Sequence, residues 1–167
     1  MSNVLRIKRS LISVSDKGKI VPFAKDLAKE DIEIISTGNT FKELKKNKIN
    51  VKKIEEVTSF PEILSGRVKT LHPKIFGGIL ANKLDQSHTR QLKQHSILEI
   101  QLVVVNLYPF KETIKISNNI NKCIENIDIG GPSLIRAAAK NFLSTAIITD
   151  KEDYKKVINE IKKLGGV

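Results

Sequence analysis

The sequence predicts an α/β sandwich built on a mainly parallel sheet, and three observations carry that expectation. Short apolar runs alternate along the chain with segments whose apolar residues recur at helical spacing. One run, Leu102 to Leu107, is apolar almost throughout, which marks a strand buried on both faces, as in a parallel sheet. Polar and glycine-bearing clusters follow the strand candidates directly, where ligands of such sheets bind.

Taken in order, Ser10 to Val14 reads as the first strand. Ile20, Phe23, Ala24, Leu27 and Ala28 then lie at helical spacing, with Pro22 in the first turn, where its missing N–H matters least. Ile32 to Ile35 is a second strand. Thr40 opens the next helix, and Glu43, three residues on, completes a capping box. Val51 to Ile54 is a short third strand. The middle is less regular: Gly77 to Ala81 reads as a strand and Asp85 to His95 as a polar surface helix. The Val-rich strand ends at Asn106 and Pro109. Pro132 takes a first helical position after Gly130-Gly131, in a helix that runs to about Lys140. Ala146 to Thr149 is the last strand, and Asp150 caps a final helix carrying Val157, Ile158, Ile161 and Leu164. With no internal repeat or low-complexity linker, residues 1–167 read as one domain.

Composition narrows the function classes. Apolar residues make up 40% and charged residues 28%, ordinary for a globular chain with its own core. The net charge of +11 fits either a surface that tracks nucleic-acid phosphates or a protein that uses lysine as its default surface residue. The lysines are scattered and aromatics are only 5%, too few for a base-stacking platform, so no nucleic-acid partner is expected. Cys123 is the sole cysteine, which excludes an internal disulfide and a cysteine-based metal site. Its spacing with Ile120, Ile124 and Ile127 places it in the core. No apolar run approaches a membrane span, and the N-terminus has no signal-peptide hydrophobic region, so a cytoplasmic protein with no membrane partner is expected.

The most informative stretch is Ser65-Gly66-Arg67-Val68-Lys69-Thr70-Leu71-His72-Pro73-Lys74. Three cations, a hydroxyl and an imidazole in ten residues suit an anion, and a phosphorylated small molecule is the natural candidate. His72 fits either a ligand-facing or a structural position. Further polar groups gather at the strand ends: Ser15, Asp16 and Lys17; Thr37, Gly38, Asn39 and Thr40; Asn106 and Tyr108; Asp128, Gly130 and Gly131. Each alone also fits an ordinary cap or turn; their convergence on one sheet edge favours a site. The Thr37–Thr40 turn leads into a helix, whose free N–H groups and positive dipole end favour a phosphate. Asp128 either caps the Gly-Gly-Pro turn or works on substrate. Lys140 is either a solvated helix end or, if crowded by Lys17, Arg67 and Lys69, a proton carrier. His88 and His95 lie on the polar helix, and the three histidines have no ligand spacing, so no metal is expected.

Several segments together resemble a known family, the inosine monophosphate (IMP) cyclohydrolase domain of the bifunctional purine-biosynthesis enzymes. They are Ile12-Ser13-Val14-Ser15-Asp16-Lys17, Phe60-Pro61-Glu62, Gly66 to Pro73, Val105-Asn106-Leu107-Tyr108-Pro109-Phe110, Glu125 to Gly131 and Arg136-Ala137-Ala138-Ala139-Lys140-Asn141. The resemblance implies a methylglyoxal-synthase-like three-layer sandwich. It implies closure of 5-formamidoimidazole-4-carboxamide ribonucleotide (FAICAR) to IMP with loss of water, with no cofactor and no metal. It assigns nucleotide contacts to Ser15, Asp16, Lys17, Thr37, Gly38, Asn39, Thr40, Arg67, Val68, Thr70, Asn106, Leu107, Ile129 and Gly130. Proton transfer falls to Lys140, and other parts of the chemistry to Lys69, Tyr108 and Asp128. It further implies a homodimer and a full-length enzyme whose transformylase half lies outside these residues. One departure stands in the phosphate turn, where Gly38-Asn39 replaces the usual Gly-Gly; asparagine tolerates a left-handed backbone better than most residues. Two rival readings on this fold fit less well. A methylglyoxal synthase needs a Gly-Asp segment with a catalytic aspartate that is not found, and a ligand-sensing domain leaves Lys69 and Lys140 without a purpose.

Overall fold

A computed structural model describes residues 4–167. Five strands, β1 (Arg9–Val14), β2 (Glu33–Ser36), β3 (Lys52–Lys53), β4 (Leu102–Asn106) and β5 (Ala146–Ile148), form one sheet in the order β3-β2-β1-β4-β5. Every pairing is parallel. The order steps outward from β1 in both directions, so the chain reverses direction across the sheet between β1 and β4, where ligands of open parallel sheets settle. Register aligns Val14 with Asn106, so the two central strands end together and their following loops start side by side.

Side chains alternate across the pleat, and each face builds its own core. Ile12, Val14, Ile34, Leu102, Val104 and Ile148 face one way. They are covered by Phe23, Ala24 and Leu27 of α1 (Ile20–Lys29), Leu44 of α2 (Gly38–Lys46) and Tyr154, Ile158 and Ile161 of the C-terminal helix (Tyr154–Leu164). Leu11, Ile35, Val103 and Val105 face the other way. Their cover is Ile54 of α3 (Ile54–Thr58), Ile75 and Ile79 of α4 (Pro73–Leu80), and Leu134, Ala137 and Ala138 of the helix Gly130–Lys140. The polar helix α5 (Gln86–Gln94) stands between α4 and β4 in the chain. Two short helices, α6 (Phe110–Ile116) and α7 (Ile120–Glu125), precede Gly130–Lys140, which is α8, and Tyr154–Leu164 is α9. The result is the expected three-layer α/β sandwich on an all-parallel sheet.

Five local expectations change. Gly77 to Ala81 is not a strand but the end of α4. Its start is set by Pro73 at a first-turn position and by His72 Nδ1, which accepts from Lys74 N at 3.1 Å. Gly78 is needed there because a Cβ would come within 2.5 Å of the Leu98 carbonyl. Thr40 does not open α2: the helix begins at Gly38 after Thr37. The Thr40 hydroxyl is buried instead against β1, accepting from Val14 N and donating to Val14 O, while Glu43 accepts from Asn47 Nδ2. The third strand shrinks to two residues because Ile54 already starts α3. Finally, Cys123 is only half-buried, and Ile120, Ile124 and Ile127 are exposed. The helical spacing there is real, but α7 turns that stripe outward. Pro132 also shifts, to the third position of α8, since the helix starts at Gly130.

Candidate functional site

Five loops meet beyond the carboxyl ends of the strands, and named contacts tie them into a ring. The first link continues the β1–β4 ladder past its last rung. Asn106 Oδ1 accepts from Ser15 N at 2.7 Å and Asp16 N at 2.9 Å, and its Nδ2 donates to Asp16 O at 2.9 Å. Its amide is thus engaged on both oxygen and nitrogen in fixing the loop Ser15–Lys17. Asp16 turns its carboxylate back, accepting from Gly18 N at 2.8 Å and pairing with Lys151 Nζ at 2.7 Å. The Lys151 hydrogen bond, with the Gly18 N–H behind it, holds the Asp16 carboxyl below the usual carboxylate range. Lys17 curls over the same loop, its ammonium donating to Ser15 O at 3.2 Å.

The second link joins β1 to the turn before α2. Ser13 and Thr37 share a hydroxyl hydrogen bond of 3.1 Å, and the buried Thr40 hydroxyl holds Val14. Gly38 has φ of +46°, so the left-handed position of this turn falls on glycine, and Asn39 beside it need not adopt one. The helix N-terminus that follows presents free N–H groups to the ring.

The third loop supplies the cations. Ile63 and Val68 form an isolated antiparallel bridge, and the chain between them turns through Leu64 (φ +53°), Ser65 (φ +54°) and Gly66 (φ +89°). Two consecutive non-glycine residues with positive φ cost on the order of 1–3 kcal/mol each. The tight turn directs Arg67 to one side, where it pairs with Glu125 at the end of α7. That pairing raises the Arg67 guanidinium further and holds the Glu125 carboxyl below its ordinary value. Lys69 goes to the other side. Its ammonium lies 3.7 Å from where a Cβ would stand on Gly38 and 3.4 Å from one on Gly66. It therefore fills a slot between two glycines, beside the α2 N-terminus. The neighbouring Thr70 is buried, with its hydroxyl 2.7 Å from where a Cβ would stand on Gly130.

The ring closes at α8. Asp128 Oδ1 accepts from Gly131 N at 2.8 Å, the capping arrangement, while a Cβ on Gly131 would strike Asp128 Oδ2 and Leu107 Cδ2. Ile129 precedes the helix and is exposed, as are Leu107 and Tyr108. Thus Ser15, Asp16, Lys17, Thr37, Arg67, Val68, Lys69, Thr70, Leu107, Tyr108, Asp128 and Ile129 lie in these loops, and they are bordered by Gly38, Asn39 and Thr40 in the first turn of α2, Asn106 at the end of β4 and Gly130 at the start of α8.

Lys140 does not. It ends α8, ten residues and about 15 Å along the axis from Gly130. The adjacent Asn141 donates to Ile79 O and Ala81 O, and Thr145 to Ile79 O and Ile100 O, which places this end of α8 at the amino ends of the strands. There Lys140 lines an open groove between α4 and α8 with Phe76, Leu80, Ser133 and Arg136. The expected crowding of Lys140 by Lys17, Arg67 and Lys69 is absent within this chain. His72, left open between two roles, caps α4 and stands 6.3 Å from the Phe60 ring, a structural position.

Three contributors were missed from sequence. Lys151 follows Asp150, whose capping role hid it. Glu125 and Glu62 stood inside segments noted only for resemblance: Glu125 meets Arg67 only when α7 comes to the loop, and Glu62 meets Lys69 only once the tight turn has formed.

The MGS-like domain family matches residues 19–133, more than half of the chain, and these include four of the five loops. The chain belongs to the MGS-like domain family. Curated relatives agree over nearly its whole length. It is 57% identical over 159 residues to the bifunctional purine biosynthesis protein PurH of Thermoanaerobacter sp. (strain X514), covering 95% of this chain and 31% of that protein. The PurH of Bacillus subtilis (strain 168) is 54% identical over 164 residues, 98% of this chain and 32% of that protein. The PurH of Rhodospirillum rubrum is 53% identical over 166 residues, 99% and 32%. This MGS-like domain therefore spans about a third of the length of the curated relatives it matches, and corresponds to their N-terminal part. Among solved structures, ForH superposes with a TM-score of 0.85 at 32% identity, covering 96% of this chain and 83% of that one.

Proposed function

We propose that this MGS-like domain is an IMP cyclohydrolase, which closes FAICAR to IMP in purine biosynthesis. The observation that carries the reading is the Lys69 ammonium, held between Gly38 and Gly66 inside a ring of loops at the sheet's switch point. The PurH names of the relatives support the pathway, though each relative is about three times this chain's length.

The reaction joins two groups of one molecule, so holding FAICAR folded is itself a large part of catalysis. The carboxamide nitrogen attacks the formyl carbon, a C–N bond forms, and negative charge gathers on the formyl oxygen. Lys69 is assigned to stabilise that charge, with Tyr108 and backbone N–H groups as further donors. Asp128, whose Oδ1 is engaged by Gly131 N, offers Oδ2 to the amide proton. The proton taken from the amide passes to the carbinolamine oxygen, and that oxygen leaves as water with a second proton as the former formamide nitrogen gives up its N–H, so that the ring C=N of IMP remains. The Thr37–Thr40 turn and the loop Ser15–Lys17 are assigned to the 5′-phosphate, and Arg67, Val68, Thr70, Asn106, Leu107, Ile129 and Gly130 to the remainder of the nucleotide. The resemblance gives proton transfer to Lys140, which stands at the far end of α8 from these groups within this chain. A transformylase domain in the full-length enzyme, a homodimeric state and a cytoplasmic site of action belong to the same proposal.

The test is direct. Purified domain is mixed with FAICAR and no added cofactor, and IMP is followed in the ultraviolet. Catalysed IMP formation is expected; a rate no faster than the uncatalysed one sinks the reading.

A further inference from the structure

Phe60-Pro61-Glu62 is the one segment of the resemblance to which no role has been attached, and the fold brings its carboxylate to Lys69. Glu62 and Lys69 flank the Ile63–Val68 bridge, one residue outside it on either strand, and so face each other across the tight turn. Glu62 Oε2 stands 4.0 Å from Lys69 Nζ. Among the described residues no other carboxylate comes within that distance of the Lys69 ammonium. Both side chains are about 30% exposed, at 27% for Lys69 and 32% for Glu62. A pair this open contributes little to stability. Its geometry is nonetheless tightly bounded. A Cβ on Gly66 would come within 2.6 Å of Glu62 Oε1, so the carboxylate lies directly over the glycine on its way to Lys69.

We infer that Glu62 is a positioning residue, whose carboxylate holds the Lys69 ammonium in its slot beside the α2 N-terminus. This rests on the reading of Lys69 as the group that stabilises the developing oxyanion. A lysine has four rotatable bonds and a point charge, so without a counter-charge its head is free to leave the slot. Glu62 opposes that at one side, and the two glycines leave room for the ammonium at the others. The opposite cation of the turn is treated alike: Arg67 is held by Glu125 from α7. Each functional cation of this loop therefore has a dedicated carboxylate that comes from outside the turn.

The test is a double-mutant cycle on kcat/KM with FAICAR, using Glu62→Gln, Lys69→Ala and the pair. Glu62→Gln keeps the shape and removes the charge. It is expected to lower kcat/KM about tenfold, since misplacing a reacting group by about 1 Å costs up to ~10²-fold. In the Lys69→Ala background the same change should cost less than about twofold, because the two residues act as one unit. Glu62→Asp, which keeps the charge, should restore part of the loss, and the melting temperatures of all variants should agree closely with the parent. Equal losses in both backgrounds, or no loss in either, overturns the inference. Acylation of Lys69 by an amine-reactive reagent, read by mass spectrometry, needs no turnover: Glu62→Gln should raise its rate severalfold, and an unchanged rate counts against the pairing. A parent protein that makes no IMP but shows the labelling change would sink the cyclohydrolase reading alone.

Discussion

At the scale of single residues the site separates groups that hold the loops from groups left free to work. Asn106 is the clearest holder: its amide binds backbone on both of its polar atoms, so its effect on a ligand runs through Ser15 and Asp16. Asn106→Ala should weaken IMP binding about tenfold, roughly the worth of one lost charge-assisted contact, as read by calorimetry; unchanged affinity would mean that the loop holds itself. Lys69 is the clearest working group, its ammonium held beside the α2 N-terminus. Lys69→Ala should lower kcat by about 10²–10³-fold, the usual cost of an oxyanion donor, with a smaller effect on IMP affinity. Lys140→Ala is the telling contrast. Its distance along α8 predicts kcat within a few-fold of the parent; a large drop would show that Lys140 reaches a site from a neighbouring copy. Of these residues, the loop cations and the strand-end polar groups were legible in sequence because local chemistry marks them. The cap that Asp128 places on Gly131 N was legible as one of two readings, but the partners of Asn106 and the Asp16–Lys151 pair were not, since they meet only through loops brought together by the fold.

At the scale of elements, the sheet strands were legible, but α4 reads as a strand in the sequence and α3 and α6 do not register there. Continuous apolar runs identify β1, β2 and β4 because both faces of the sheet are covered. The run Ile75 to Leu80 is equally apolar, and periodicity alone does not tell a short buried helix from a buried strand. What decides it is His72 capping the first turn behind Pro73, together with the close passage of Gly78 under the Leu98 carbonyl. Gly78→Ala should therefore destabilise the protein by about 1–3 kcal/mol, an overpacking cost against backbone that cannot yield. Thermal denaturation should show it as a lowered midpoint, with the far-ultraviolet spectrum otherwise unchanged. Leu134→Ala, at the centre of α8 against the sheet, should cost about 2–5 kcal/mol by leaving a cavity. The capping box expected at Thr40 failed for a related reason: the hydroxyl found a better partner in β1 than in its own helix.

At the scale of the whole molecule, carboxylates paired with cations set the acid limit of stability. Asp16, Glu33 and Glu125 all titrate below their ordinary range in the folded chain. For Glu33 burial pushes the carboxyl up, and the Lys52 and Arg9 partners more than reverse it. A carboxyl depressed on folding stabilises the native state above its unfolded value, near 4, and that stabilisation disappears as the pH falls through the folded value. Melting temperature should accordingly hold between pH 7 and about 5 and fall below pH 4; a profile flat to pH 3 would contradict it. Arg67, Lys151 and Lys69 each face one of these or a neighbouring carboxylate. The outward stripe of Ile120, Ile124 and Ile127, with the exposed Ile114, Ile116 and Ile129 near it in the chain, has a colloidal consequence. Residues 107–129 carry three lysines (111, 115, 122) and three acids (112, 125, 128), a neutral greasy face on a strongly cationic particle. In dilute buffer, repulsion between like-charged particles keeps such faces apart. At about 1 M salt the Debye length shrinks to about 3 Å and that protection is gone. Light scattering should then show self-association growing with ionic strength, the reverse of what an electrostatic complex does, and Ile120→Lys with Ile124→Lys should abolish it.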